Sequence, residues 1–189
     1  SQRISQSEYG TESLVRRLNI TAAQLARAEA DRMTKLTPEK PRLVAGSVGP
    51  TGKMLSMSPD VDNPALRAID FDTLKSAYIE QIDALMEGGV DMLLVETAFD
   101  TLNMKAALTA AEEVFESREE RVDLMLSITV ADAAGRTLSG QTLEAVVAKL
   151  MWVLGQTDDA EKAKDFEPNI ILISEEINSD DLVSVLEKI

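Results

Sequence analysis

Two residue types are missing from this sequence altogether: it has no cysteine and no histidine. Their absence excludes disulfides, thiol nucleophiles, imidazole bases and any metal centre built on thiolate or imidazole ligands. Whatever chemistry the chain takes part in must use carboxylates, hydroxyls, amides and backbone groups. Aromatic residues are scarce as well, at 4%, so the core has to be built from Ala, Val, Leu, Ile and the eight Met. That composition suits helices packed on a sheet. Positive charge is in short supply, with 19 Lys and Arg against 33 Asp and Glu and a net charge of -14. Phosphate backbones call for clustered cations, so a nucleic-acid partner is excluded. No apolar run approaches the ~18 residues of a membrane span, and Ser1 to Gly10 is polar. Neither a membrane partner nor a signal peptide is expected, and the cytoplasm is the default location.

What is present reads as one α/β domain over residues 1–189. Leu14, Leu18, Ala22, Leu25 and Ala26 recur at helical spacing and predict a helix from about Glu8 to Met33, before Pro38 and Pro41. Leu43 to Ser47 is a short apolar run stopped by Gly49 and Pro50, which predicts a buried strand running into a tight loop. An irregular stretch follows from Thr51 to Ile69. Asp70 or Asp72 can cap a second helix carrying Leu74, Ala77, Tyr78, Ile82 and Leu85, ended by Gly88 and Gly89. Met92 to Val95 is a continuous apolar strand of the kind buried on both faces in a parallel sheet.

A third helix opens at Thr101 and carries Leu102, Ala106, Ala110 and Val114. Leu124 to Val130 then predicts a strand, and a fourth helix bears Leu143, Val146, Val147, Leu150 and Leu154. The charged segment Gly155 to Glu167 reads as a solvated loop, Asn169 to Ile173 as the last strand, and Ser179 as the cap of a last helix. Strands spaced by intervening helices imply a parallel sheet, either open and doubly wound or part of a (β/α) barrel. Periodicity does not separate the two, but both place functional groups at the C-terminal ends of strands.

Three segments at those strand ends are more than generic: VAGSVGPTGKMLSMSPDV from Val44, LLVETAFDTLNMKAAL from Leu93, and SITVADAAGRTLSGQTLEA from Ser127. Together they resemble the homocysteine-binding domain of cobalamin-dependent methionine synthase, within the homocysteine S-methyltransferase family. The likeness covers about residues 8–150 and leaves 151–189 divergent. It implies a partial (β/α)8, TIM-type barrel holding about four βα units, and methyl transfer to the thiol of homocysteine to give methionine. The family uses zinc on three cysteines and methylcobalamin as methyl donor. This chain departs from that pattern: where the family's Gly-Leu-Asn-Cys motif ends a strand, Ser174, Glu175 and Glu176 follow Ile173. No cofactor is therefore assigned to this chain itself.

On this resemblance Glu96 corresponds to the family's glutamate for the homocysteine ammonium. A carboxylate after four apolar residues at a strand end is well placed for a cation; the plainer role is an ion pair with a neighbouring Lys or Arg. Gly49 and Pro50 match a substrate-site loop, although Gly-Pro is also ordinary turn chemistry. Ser139, Gly140 and Gln141 can offer donors to an amino-acid carboxylate. Asp100, Thr101 and Asn103 mark a helix start that could receive an anion, with a plain cap at Thr101 as the expected role. Glu175 and Glu176 could hold a hard cation such as Mg²⁺, with a solvated loop as the expected reading. No catalytic residue and no metal ligand are assigned.

A neutral thiol is a poor nucleophile, so catalysis by this chain alone is not expected. Its partner is homocysteine, together with the remaining methionine synthase domains if the chain is a fragment. Three arrangements stay open for a half-barrel with exposed sheet edges. It is a fragment of a longer protein, a non-catalytic interaction module that dimerises or pairs with a missing half, or a rearranged open sheet.

Overall fold

A computed structural model describes residues 1–131, 136–142, 145–146 and 169–173. In chain order it contains helix α1 (Arg3–Ser7), a 3-10 turn (Glu12–Leu14), α2 (Val15–Leu36), strand β1 (Ala45–Val48), α3 (Phe71–Glu87), β2 (Met92–Ala98), α4 (Thr101–Arg118), β3 (Asp123–Thr129) and β4 (Asn169–Ile173). The four strands form one sheet in the order β1-β2-β3-β4, and every neighbouring pair is parallel. A sheet whose spatial order follows chain order has no switch point, which is the barrel arrangement and not the doubly wound one. The fold is α/β, a segment of the (β/α) barrel.

Alternation along the strands sorts side chains to two faces. Val48, Leu93, Val95, Leu124, Leu126 and Ile128 are buried, and they join one core with Leu74, Ile82 and Leu85 of α3 and Ala107, Leu108, Ala111 and Phe115 of α4. Each large side chain removed from water there contributes about 1.5–3 kcal/mol. The opposite face, with Ala45, Ser47, Leu94, Glu96 and Met125, is partly or fully exposed. Gly46 has no side chain for a packing reason: a Cβ there would lie 3.1 Å from Val90 and 3.3 Å from Leu85.

The capping chemistry read from the sequence holds at α3, where the Asp70 carboxylate accepts from the Thr73 N–H. At α4 the cap is Asp100, and Thr101 is the first helical residue, because the Asp100 carboxylate accepts from both Leu102 and Asn103 N–H groups. The single helix expected from Glu8 is instead α1, a turn through Gly10 at φ 64°, and α2. Its buried stripe also differs from the leucine stripe. Val15, Asn19 and Ala23 face inward, while Leu14, Leu18 and Leu25 are 41%, 43% and 66% exposed. Close approach of α2 to α3 explains the choice, since a Cβ on Gly88 would sit 2.5 Å from that of Ala23 and 2.9 Å from the Ile20 carbonyl. Only small residues fit at that crossing. The fourth helix, the Gly155 to Glu167 loop and the Ser179 helix fall largely or wholly outside the described residues.

Candidate functional site

The C-terminal ends of β1 and β2 meet in a small recess of about 10 Å³, lined by Gly49, Pro50, Glu96, Phe99, Asp100 and Asn103 together with buried residues such as Tyr78, Val95 and Ala98. That is about the room a single water needs, ~10–15 Å³, and not a preformed small-ligand cavity. Of the residues singled out from the sequence, Gly49, Pro50, Glu96, Asp100 and Asn103 are therefore neighbours.

Glu96 is half-buried on the open face of the sheet. Its Oε1 accepts a short hydrogen bond from the Ser47 hydroxyl. Neither oxygen meets a Lys or Arg among the described residues, and Oε2 has no partner there. The plain ion pair weighed above is thus not what the described structure contains. Gly49 lies beside the carboxylate, where a Cβ would come within 3.8 Å of Oε1.

A backbone irregularity begins at Glu96. Val95 pairs with Leu126 and Ala98 with Ile128, so Glu96 and Thr97 together oppose one residue, Ser127. This is a β-bulge, and Thr97 takes φ 56° within it. Bulges re-aim side chains at sheet ends. Here the extra residue leaves Glu96 on the open face and returns Ala98 to the core.

The loop after β1 is strapped to the start of α4. Asp100, 2% exposed, uses Oδ1 for Leu102 N–H (2.9 Å) and Asn103 N–H (3.3 Å), and Oδ2 for Ser56 N–H (3.0 Å). Asn103 accepts from Leu55 N–H at 3.0 Å and donates to the Lys53 carbonyl at 2.8 Å. The N–H groups that begin α4 are consequently taken by its own cap, and no anion seat is left on Leu102 and Asn103. The Tyr78 hydroxyl donates to the Gly49 carbonyl at 3.3 Å. Burial, with the nearby Asp100 charge, pushes its pKa well above the ordinary tyrosine value, so it stays a donor.

Ser139, Gly140 and Gln141 belong to a turn closed by an antiparallel bridge between Arg136 and Thr142. The Ser139 hydroxyl donates to the Phe99 carbonyl at 3.2 Å, which ties this turn to the segment just beyond Glu96. Gly140 N–H donates to the Thr137 carbonyl at 2.8 Å and Gln141 N–H to Thr137 Oγ1 at 3.3 Å. Those two donors serve the turn, while Gln141 Oε1 is buried with no hydrogen-bond partner among the described residues. Glu175 and Glu176 lie outside the described residues.

Sequence reasoning passed over Ser47, Tyr78 and Gln81, whose amide donates to the Ser47 carbonyl at 3.0 Å. Strand alternation places Ser47 on the open face, but its closeness to Glu96 depends on the β1–β2 register, which no local pattern encodes.

The zinc implied by the resemblance needs thiolates, and this chain has none. Among the described residues, no group of three or more Asp, Glu, His or Cys stands close enough to hold a metal ion. The residues present do not compose that centre. No helix among the described residues is long and apolar enough to cross a membrane.

Comparison with solved structures places the fold. The homocysteine methyltransferase MmuM from Escherichia coli in its metallated form is 18% identical with a TM-score of 0.61, over 99% of this chain and 76% of that one. Its oxidised form gives 17% and 0.59 over 100% and 76%, and its apo form 18% and 0.56 over 94% and 75%. At that identity the likeness speaks for the barrel architecture alone. A family model described as homocysteine S-methyltransferase matches residues 1–157 of the 189, and the chain belongs to the homocysteine S-methyltransferase family.

Proposed function

We propose that this chain recognises homocysteine by its amino-acid end, with Glu96 seating the ammonium group, as the substrate-binding part of a methyl transfer to sulfur that yields methionine. The observation that carries the reading is the carboxylate itself. It sits at a strand end in a recess, oriented by one hydroxyl, with no cationic partner among the described residues. A half-buried carboxylate without a counter-charge is an unfinished ion pair, and a ligand ammonium completes it with charge-assisted hydrogen bonds. Gly49 and Pro50 form the wall beside it, and the Ser139 turn is tied to Phe99, which also lines the recess.

The finer reading rests on the three ordered motifs. It makes the chain a homocysteine domain of the methionine-synthase type, working in the cytoplasm with methylcobalamin carried by another domain. Its own contribution is recognition and orientation of the substrate. Ionisation of the thiol, whose pKa is ordinarily about 8.5, is not something its carboxylates and hydroxyls supply.

Calorimetric titration of the whole chain with L-homocysteine tests this. One binding site is expected in the wild type, with affinity reduced at least ~tenfold in Glu96→Gln while circular dichroism stays unchanged. Equal affinity in the two proteins would remove Glu96 from the role.

A further inference from the structure

We propose that Ser47 is the positioning residue for the Glu96 carboxylate: its hydroxyl holds Oε1 and leaves Oε2 as the free acceptor for an amino-acid ammonium. The inference rests on the reading of Glu96 given above and adds a residue to it. Ser47 stands opposite Leu94 in the β1–β2 register, and Glu96 lies two residues further along the neighbouring strand. Positions two apart share a face of the sheet, so the Ser47 and Glu96 side chains project to the same side. They meet there in a direct hydrogen bond.

Three features make Ser47 a fixed reference and not an incidental contact. Its carbonyl is held at 3.0 Å by the amide of Gln81, a residue of α3 that is only 1% exposed. Two residues on, the Gly49 carbonyl accepts from buried Tyr78. The end of β1 is thereby pinned to α3 at two points around the hydroxyl. Gly49 adds no side chain beside Oε1, where a Cβ would make ordinary contact at 3.8 Å, so Ser47 alone holds that oxygen among the described residues. A hydroxyl has one proton to give, and it satisfies one carboxylate oxygen. A free glutamate side chain samples many rotamers, and one already held in place loses less freedom when the ligand arrives.

The test uses the near-isosteric pair Ser47→Thr, which keeps the hydroxyl, and Ser47→Val, which does not. Ser47→Ala removes the hydroxyl without added bulk should valine disturb the strand. Each whole-chain variant is titrated with L-homocysteine and with 4-sulfanylbutanoate, which lacks the amino group, and melted to verify folding. Expected is about a tenfold weaker binding of homocysteine by Ser47→Val. Binding of the desamino compound should be unchanged, and Ser47→Thr should restore the wild-type preference. If Ser47→Val binds homocysteine as Ser47→Thr does, or loses both ligands equally, the positioning role is overturned. Glu96→Gln separates the two levels of argument. A loss of preference there with none in Ser47→Val removes only Ser47, whereas a Glu96→Gln protein that keeps the wild-type preference removes the ammonium seat and this inference with it.

Discussion

Thr97 pays a conformational cost that its neighbours do not. A β-branched residue at φ 56° is strained, because its Cβ crowds the adjacent carbonyl in the left-handed region. The bulge it sustains returns Ala98 to the core directly after Glu96, so the strained residue adjoins the candidate site. Glycine adopts this conformation without penalty, although it gives the unfolded chain more freedom. Thr97→Gly is therefore expected to raise stability by up to ~1 kcal/mol, measured by urea unfolding, with homocysteine affinity unchanged. A loss of stability would mean that the threonine side chain contributes contacts outweighing its strain. The place of Glu96 near the C-terminal end of β2 was legible in the sequence, because it follows an apolar run inside a recognisable motif. The bulge was not, since neither glycine nor asparagine marks the left-handed position in Glu96–Thr97–Ala98.

Among the elements, β4, α3 and β3 were readable nearly to the residue, α3 from its apolar period between the Asp70 cap and Gly88, and the two strands as short apolar runs. Helix α2 was readable in existence but not in orientation. Two adjacent stripes compete on it, and the leucine stripe is the more hydrophobic, yet the tight crossing at Gly88 selects Val15, Asn19 and Ala23. Burial potential decides which faces compete, while interhelical distance decides which wins. A charge knot then ties three helices together. Asp83 of α3 meets Arg16 of α2 at 2.5 Å and Arg118 of α4 at 2.8 Å. Burial alone would raise the Asp83 pKa, but hydrogen bonds and charge from Arg16 and Arg118 outweigh it and hold the carboxyl below its usual range. A depressed folded pKa contributes stability above the unfolded value of about 3.9, and that stability is lost as pH falls through the folded value. Asp83→Asn should cost about 1 kcal/mol at pH 7, after discounting for partial exposure. Between pH 7 and an acid pH below the depressed folded value, the difference from wild type should vanish, because the carboxyl is then neutral as well. Urea titrations at the two pH values measure it, and a cost that persists in acid would show that the carboxylate's charge is not its source.

For the molecule as a whole, the 33 acidic and 19 basic residues leave 14 acids without a possible one-to-one partner. Their mutual repulsion acts across the whole surface and is screened over about 8 Å at physiological ionic strength. Screening also weakens exposed ion pairs such as Arg3–Glu80 and Arg121–Glu112, but each of those is worth little. The melting temperature at pH 7 should accordingly rise by a few degrees, on the order of 1 kcal/mol of stability, between 10 and 200 mM sodium chloride. A fall would mean that attractive pairs dominate. Whether the sheet was barrel-like or doubly wound lay beyond periodicity, because both architectures repeat strand and helix alike. Sequential strand order decided it. The bulge has one more consequence in a chain without thiols. At Thr97 the backbone directs an exposed side chain outward while Glu96 remains on the open face of the recess. A single cysteine placed there would be the chain's unique attachment point for a fluorophore, one residue from the proposed ammonium seat, so that occupancy could be followed by light emission.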